Sequence, residues 1–417
     1  VRNEILPPVS ERTCACCGRE KVKIGEEVAH HYERPPRPSL ILVETARIKM
    51  ACPKGCEGEV TCPPAPPAPI ERGRAGPGLL AWILVTKFGD HVPLNRILRM
   101  LARDGVSIAA STLCGWVDQA AGLLEAIVDY LRSRILAGDV ARVDETGILV
   151  KDPDAKTKKN PRKARQARMW VYRGADAGFV FYLYSDTKGN EDPAGPGRVL
   201  NGFVGYVQAD AYAGYDQLFR TGLMIEVACW AHARRYFYDA MSSSPKEAQI
   251  AIDIIRELYA VEAEAKACKL DASGRLALRR DRSVPIVDRF FVWLKTLDPV
   301  PNTPLADAVR YTTNLERALR RFLEDGRLEI DNTGVERDMR PVAVGRNSWL
   351  FLGSPASGDN AAICYSLIAS CRDLGINPLE YLTDVLVRVS THPAKRVAEL
   401  APPGWLEARR ARAPDPG

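Results

Sequence analysis

The sequence predicts an α+β multidomain protein: an N-terminal zinc ribbon, a helical segment with a helix-turn-helix layout, an α/β core interrupted by an all-α insertion, and C-terminal helices. Three observations predict it. Six of the 11 cysteines fall before position 63. Short β-like runs cluster between residues 133 and 235, with helical periodicity on either side. A chain of 417 residues is too long for one small core and fits about two to four domains.

Residues 1–62 form the ribbon. Cys14 and Cys17 make a C-x2-C knuckle before Gly18, and Cys52 and Cys56 a slightly longer second one. Two knuckles on adjoining turns supply four thiolates in the tetrahedral geometry of zinc. So small a unit buries too little apolar surface to fold alone, so metal binding would supply folding energy. Cys16, Cys62, His30 and His31 are substitute ligands, and free cysteines in a loose ribbon are the plain alternative. Residues 63–78 are a linker, stiffened by five prolines in its first seven positions.

Residues 79–132 read as helical. Leu79–Phe88 is one apolar helix. Pro93 opens a second, with Leu94, Ile97, Leu98 and Leu101 at helical spacing, which Asp104-Gly105 ends. Ser111 is the expected N-cap of a third, with Trp116 and Val117 facing inward. Helix, Gly-containing turn and Ser/Thr-led helix is the layout of a DNA-binding helix-turn-helix, and also of ordinary helical bundles.

The core spans residues 133–355, with its helical insertion at about 236–330. Expected strands cover 140–150, 169–173, 179–185 and 203–208. Between the first two, Lys151–Arg168 carries eight basic residues against two acidic ones, including Lys158, Lys159, Arg162 and Lys163. Such a loop suits a phosphate backbone, although a solvated hairpin tip has similar composition. In the insertion, Ala248–Leu270 and Asn314–Leu323 are the expected helices. After residues 331–352, GSPASGDN reads as a Gly/Ser loop. Helices at Ala361–Asp373 and Pro378–Val389 belong to the C-terminal segment, 356–417, whose tail from Pro393 reads as frayed.

The chemistry lies in three acids. Val143-Asp144-Glu145-Thr146-Gly147 sets an acidic pair on an otherwise apolar strand, which is costly to bury without a cation. Strand side chains alternate, so Asp144 and Glu145 do not share a pocket. A second strand, from Val204, ends the same way at Asp210. Two carboxylates at one sheet edge repel each other unless a hard, oxygen-seeking cation such as magnesium lies between them. Glu336 is the expected third acid, although with Thr333 it also fits a capping box. Pro341 is expected to end or kink its helix early. Arg337, Arg340, Arg346 and Arg321 suggest a phosphate-facing surface. Cys229-Trp230-Ala231-His232 with Arg234 offers His232 to a phosphate or flipped base and Trp230 to stack on one. The plain alternative is a satisfied histidine on a buried helix, and Cys229 with His232 alone is too few ligands for zinc.

Several stretches together carry a resemblance: CACCG with its later knuckle, PIERGRAGPGLLAWILVTKFGDHVPLNR, VDETG, QADAYAGYD, CWAHARRYF, DNTGVERDMRPVAVGRNSWLF and INPLEYLTDVL. In that order the chain resembles the transposases of the IS66 insertion-sequence family from about residue 14 to about 405. The resemblance implies a DDE transposase with a ribonuclease-H-like core, in which Asp144, Asp210 and Glu336 are the catalytic acids. It also implies two Mg2+ ions for cleavage and strand transfer, a structural Zn2+, and DNA partners in the terminal inverted repeats and the target. A homo-oligomer on DNA is expected from the mechanism, since two ends must be brought together, and accessory proteins of the element are candidate partners. The C-x2-H spacing is similar to a motif between the second and third acids of several DDE transposases. The chain departs from the family in its Cys-x3-Cys second knuckle and in Asp359-Asn360, where an acidic-basic pair is usual. Relatives commonly carry a longer, coiled-coil-like N-terminal extension, which points to impaired self-association or a fragmentary copy.

Two other functions fit parts of the sequence. One is a catalytically inactive zinc and helix-turn-helix DNA-binding protein derived from a transposase. The other is a sugar hydrolase using Asp144 and Asp210, which leaves the basic loop and the knuckles unexplained. A net charge of +6 with clustered Lys and Arg suits a polyanion partner. No apolar run approaches a membrane span, and no signal pattern opens the chain, so the expected location is the cytoplasm, at the nucleoid.

Overall fold

The computed structural model describes residues 40–46, 48, 67–71, 73–151, 164–187, 189, 192–209, 219–220 and 222–411. The chain divides into two compact units, residues 1–44 and 45–417, and all helices and strands of the described residues belong to the second. The expected zinc ligands Cys14, Cys17, Cys52 and Cys56, the expected DNA-contacting residues Lys158, Lys159, Arg162 and Lys163, and Asp210 lie outside the described residues.

Three helices lead in. Helix α1 (Pro77–Leu84) passes into one π-turn at Val85–Gly89, followed by α2 (Leu94–Arg103) and the long α3 (Ala110–Leu136). The N-cap of α3 is Ala109, without a side-chain bond, so Ser111 lies inside the first turn and does not cap it. One stripe of α3, including Leu113, Trp116, Val117, Leu124 and Leu131, is buried. Helix α3 therefore packs along its length and does not end at residue 132.

Five strands follow: β1 (Val140–Lys151), β2 (Ala164–Gly174), β3 (Val180–Ser185), β4 (Gly205–Gln208) and β5 (Met224–Val227), with the short α4 (Pro196–Val199) before β4. They form one sheet in the order β3-β2-β1-β4-β5. Strands β1, β2 and β3 pair antiparallel, while β4 and β5 run parallel to β1. The first four cover the apolar runs of the sequence, but β2 starts five residues early, at Ala164, inside the stretch expected to be a basic loop. Strand β5 is not among the expected strands.

A helical insertion leaves the sheet after β5: α5 (Trp230–Asp239), α6 (Pro245–Ala267), α7 (Ala272–Leu278), α8 (Val284–Leu294), α9 (Pro304–Asn314) and α10 (Glu316–Arg320). It has its own aromatic centre, where Trp230 meets Phe290, Phe291 and Phe322 edge-on at 5.4, 6.1 and 6.4 Å. A fully buried Arg279 is held there by two 2.7 Å bonds to Glu262 and by the carbonyl of Phe322 at 2.8 Å. A buried cation is tolerable only when paired and hydrogen-bonded in this way.

The chain returns to the sheet through α11 (Thr333–Trp349), α12 (Pro355–Asp373), α13 (Pro378–Arg388) and α14 (Pro402–Arg410). Helix α12 covers the free edge of β3. Ser366 accepts the Tyr182 N–H at 2.8 Å, and Ser370, one turn on, donates to the Val180 carbonyl at 3.1 Å. An edge blocked like this is closed to strand addition. Gly358 permits the approach, since a Cβ there would lie 2.4 Å from the Tyr184 ring.

Three expectations change here. GSPASGDN is not a loop: Ser354 accepts from the Ser357 N–H at 3.2 Å and Pro355 takes the first helical turn, both helix-starting features. Over its described residues the tail is not frayed, because buried Trp405 on α14 donates to Asp384 at 2.7 Å and the Tyr381 hydroxyl donates to Leu400 at 2.7 Å. Nor is the Glu336 helix short. It runs through Pro341 to Trp349 because it is anchored on both sides of the proline. On one side Asp338 binds Arg173 at 2.8 Å and Arg372 at 3.0 Å; on the other, Arg346 donates to Thr146 and to the Gly147 carbonyl at 2.9 and 2.6 Å.

Asp338→Ala leaves Arg173 and Arg372 without this shared buried carboxylate, Arg173 keeping Asp373. The expected loss is about 3 kcal/mol, read from the urea midpoint at unchanged slope. An unchanged midpoint would show that α11 is not anchored through this residue.

Candidate functional site

The site lies where β1, the neck of the insertion and the start of α11 meet. Asp144 sits on β1 opposite Val171, half-buried, and its Oδ1 accepts the Glu145 N–H at 2.8 Å. Asn332 anchors α11 beside it: its side-chain amide donates to the Val143 carbonyl at 3.3 Å and its backbone N–H donates to Cys229 Sγ at 3.2 Å. Glu336 lies on the first turn of α11, where the helix dipole favours an anion. The capping box is not formed, because α11 has no side-chain N-cap bond and the Thr333 N–H goes to Asp331 at 2.9 Å. The Glu336 carboxylate instead lies 3.9 Å from His232 Nε2.

His232 and Cys229 come from the start of α5. The Cys229 thiol is 1% exposed, and burial pushes it up to about 12. His232 Nδ1 is buried without a protein partner among the described residues, while the side chain as a whole is 26% exposed. Sγ of Cys229, a ring nitrogen of His232 and a carboxylate oxygen of Glu336 all lie within 4.8 Å of one another. Two of these are one turn apart. The third is more than a hundred positions away, so no sequence spacing connects it to them. Asp331 joins the same neck, accepting the Tyr259 hydroxyl at 2.8 Å, and burial beside this carboxylate raises the hydroxyl's pKa far above its usual range.

The expected nucleic-acid contacts divide. Arg234, Arg337 and Arg340 are exposed. Arg346 is half-buried and donates through one guanidinium nitrogen to Thr146 and the Gly147 carbonyl on β1, and Arg321 pairs with Glu324 at 3.1 Å. Trp230 must be corrected. It is 0% exposed, its indole N–H donates to the Leu319 carbonyl at 2.9 Å, and no ring face is open to a base. Positions 230, 233, 237 and 240 are all buried, the inward stripe of an amphipathic helix. The exposed aromatic residues of α5 are Tyr236, stacked on Tyr311 at 4.4 Å, and Tyr238, 66% exposed, neither of them singled out from the sequence.

Comparison with known proteins gives a consistent result. A family model described as the IS66 transposase family matches residues 72–360, and one described as the IS66 C-terminal element matches 366–402. Three similar proteins come from Sinorhizobium fredii, each named only as uncharacterized. y4hP is 32% identical over 98% of this chain and 75% of its own length. y4qI is 34% identical over 96% and 74%, and y4jD 32% over 93% and 76%.

Trp230→Ala should act on the fold and not on a contact. Its expected cost is about 3–5 kcal/mol of stability in denaturant unfolding, while Trp230→Phe, which keeps most of the ring, costs markedly less. Weakened DNA binding by a Trp230→Ala protein of unchanged stability would return the residue to the ligand surface.

Proposed function

The chain belongs to the IS66 transposase family, and on that premise we propose that it binds the ends of an insertion sequence and catalyses metal-dependent cleavage and strand transfer with Asp144, Asp210 and Glu336. One observation carries this reading. Parallel β1 and β4 are in register at Arg142 and Gln208, and Asp144 and Asp210 each follow two positions later in the sequence. Glu336 is one helical turn beyond the residue bonded to Val143. Strand order 3-2-1-4-5, with an antiparallel β2 and parallel β4 and β5, supports a ribonuclease-H-like core.

The three carboxylates are hard oxygen donors of the kind magnesium takes, and half-buried Asp144 is an acid that gains from a cation nearby. Two bound Mg2+ ions supply an activated water or 3′-hydroxyl and a charge partner for the leaving oxygen. The chain's own residues do the positioning. Asn332 and Arg346 hold α11 against β1, so Glu336 is presented from a fixed helix. Arg337 and Arg340 are exposed on the same helix, which supports a role in meeting backbone phosphates. Arg234 and His232 approach from α5, where Tyr238 offers the open ring that Trp230 does not.

We further propose a zinc unit with Cys14, Cys17, Cys52 and Cys56, the α2–α3 pair as a DNA-binding element, and DNA contact by the basic stretch with Lys158, Lys159, Arg162 and Lys163. Two element ends must be brought together, which calls for a homo-oligomer on DNA, with accessory proteins of the element acting alongside and the nucleoid as the place of action. Among the described residues no helix is long and apolar enough to cross a membrane.

Nicking of supercoiled DNA carrying the element ends tests the reading. Asp144→Asn, Asp210→Asn and Glu336→Gln are each expected to lower magnesium-dependent nicking on the order of a hundredfold or more, with unfolding midpoints and end binding near those of the parent. Full nicking by any one of them removes that residue from the site. End binding without nicking by the parent leaves only a DNA-binding role.

A further inference from the structure

We propose that Cys229, His232 and Glu336 form a zinc-binding site, distinct from the N-terminal cysteines, that shares Glu336 with the catalytic acids. The sharing rests on the function proposed above; the zinc site itself does not.

The donor set is soft on one side and mobile on the other. A thiolate and an imidazole are the ligands zinc prefers, and a carboxylate is a common third. Bonds of about 2.0–2.3 Å place the ligands of a tetrahedral zinc on the order of 3.5 Å apart. His232 Nε2 and Glu336 Oε1 already stand 3.9 Å apart, and the whole set lies within 4.8 Å, so closure needs only side-chain rotation. Glu336 has room to rotate, with a side chain 45% exposed, whereas Cys229 is fixed at the N-cap of α5.

The surroundings favour a bound metal. The Asn332 N–H pointing at Cys229 Sγ is the bond that stabilises a metal-held thiolate, and the positive end of α5 acts in the same direction. His232 Nδ1 is buried with no protein partner among the described residues, so no hydrogen bond at that nitrogen holds the ring against the small rotation that closure needs. Three protein ligands leave the fourth position to water. Once zinc is bound, Glu336 is drawn toward α5 and is lost to a magnesium ion at Asp144. Zinc therefore binds on its own account and inhibits magnesium-dependent nicking.

The test counts metal in the full chain. Parent, Cys229→Ser and His232→Asn proteins are saturated with zinc, desalted and analysed for zinc by elemental mass spectrometry. Each variant should hold about one equivalent less than the parent. Equal zinc in all three overturns the site. His232→Asn changes a partly exposed side chain, so it decides the matter even if Cys229→Ser fails to fold. Zinc is then titrated into the nicking reaction with magnesium present. Cys229→Ser should need roughly tenfold more zinc, or more, for half inhibition. Equal sensitivity, with one equivalent still lost, overturns the sharing of Glu336. If the parent does not nick at all, the catalytic reading fails, and the zinc count still stands or falls by itself.

Discussion

The arrangement depends on an irregular strap, residues 327–332, laid across the ends of two strands and the first turn of a helix. Irregular backbone inside a protein survives only if its polar groups find partners. Here the partners are specific. Buried Arg142 on β1 donates to the Arg327 carbonyl at 2.9 Å, and Gln208 on β4 donates to the Glu329 carbonyl at 2.9 Å. The Trp230 backbone N–H donates to the Ile330 carbonyl at 3.1 Å, and Asn332 closes the strap on Val143. Each bond contributes only about 1 kcal/mol net, but leaving one of these groups buried and unpaired costs about 1–3. That asymmetry makes the register of the strap, and with it the placement of Glu336, hard to slip.

The electrostatics point the same way. Arg327 grips Asp139 in front of β1 with two 2.7 Å bonds, and these bonds, opposed by modest burial, hold the Asp139 carboxyl below its usual range. This pair is partly exposed and contributes little by itself. Its role is geometric, because the guanidinium that fixes Asp139 belongs to the residue whose carbonyl receives Arg142. Farther along, Asp338 and Arg346 pin α11 on either side of Pro341. A helix anchored at Asn332, Asp338 and Arg346 presents its first turn without being free to roll, while the Glu336 side chain keeps its own rotamers.

Much of this was legible in the sequence where the signal is local. Strands β1 to β4 are apolar runs bounded by turns, and the Ala/Glu/Arg-rich stretch after residue 236 is helical as its periodicity requires. Strand β5, with four residues, is too short to show a period. The sequence misleads where composition outweighs position. Ser354-Pro355 looked like a loop because of its residues, yet those residues are helix starters in that order. Trp230 reads as a base-stacking residue from its place beside His232 in the Cys-Trp-Ala-His motif, although the 230, 233, 237 spacing marks the buried stripe. The meeting of Cys229 and His232 with Glu336 was not legible at all. It follows from the return path of the insertion, and a return path is a property of tertiary packing.

That return path bears on what the insertion does. Its first helix begins with the Trp230 N–H bonded to Ile330, so the chain leaves and re-enters at one neck. The neck carries Cys229, His232, Asp331 and Asn332, with Glu336 one turn beyond. Tyr259, deep in the insertion, bonds Asp331, which in turn holds the Thr333 N–H at the start of α11. The insertion is therefore linked to Glu336 through two hydrogen bonds and one turn of helix. The insertion is itself stiff: its centre is packed aromatic rings around Trp230, beside an arginine buried with nearly every donor satisfied. Packed in this way, the insertion holds Tyr259 and Asp331 in place against the start of α11, one turn before Glu336.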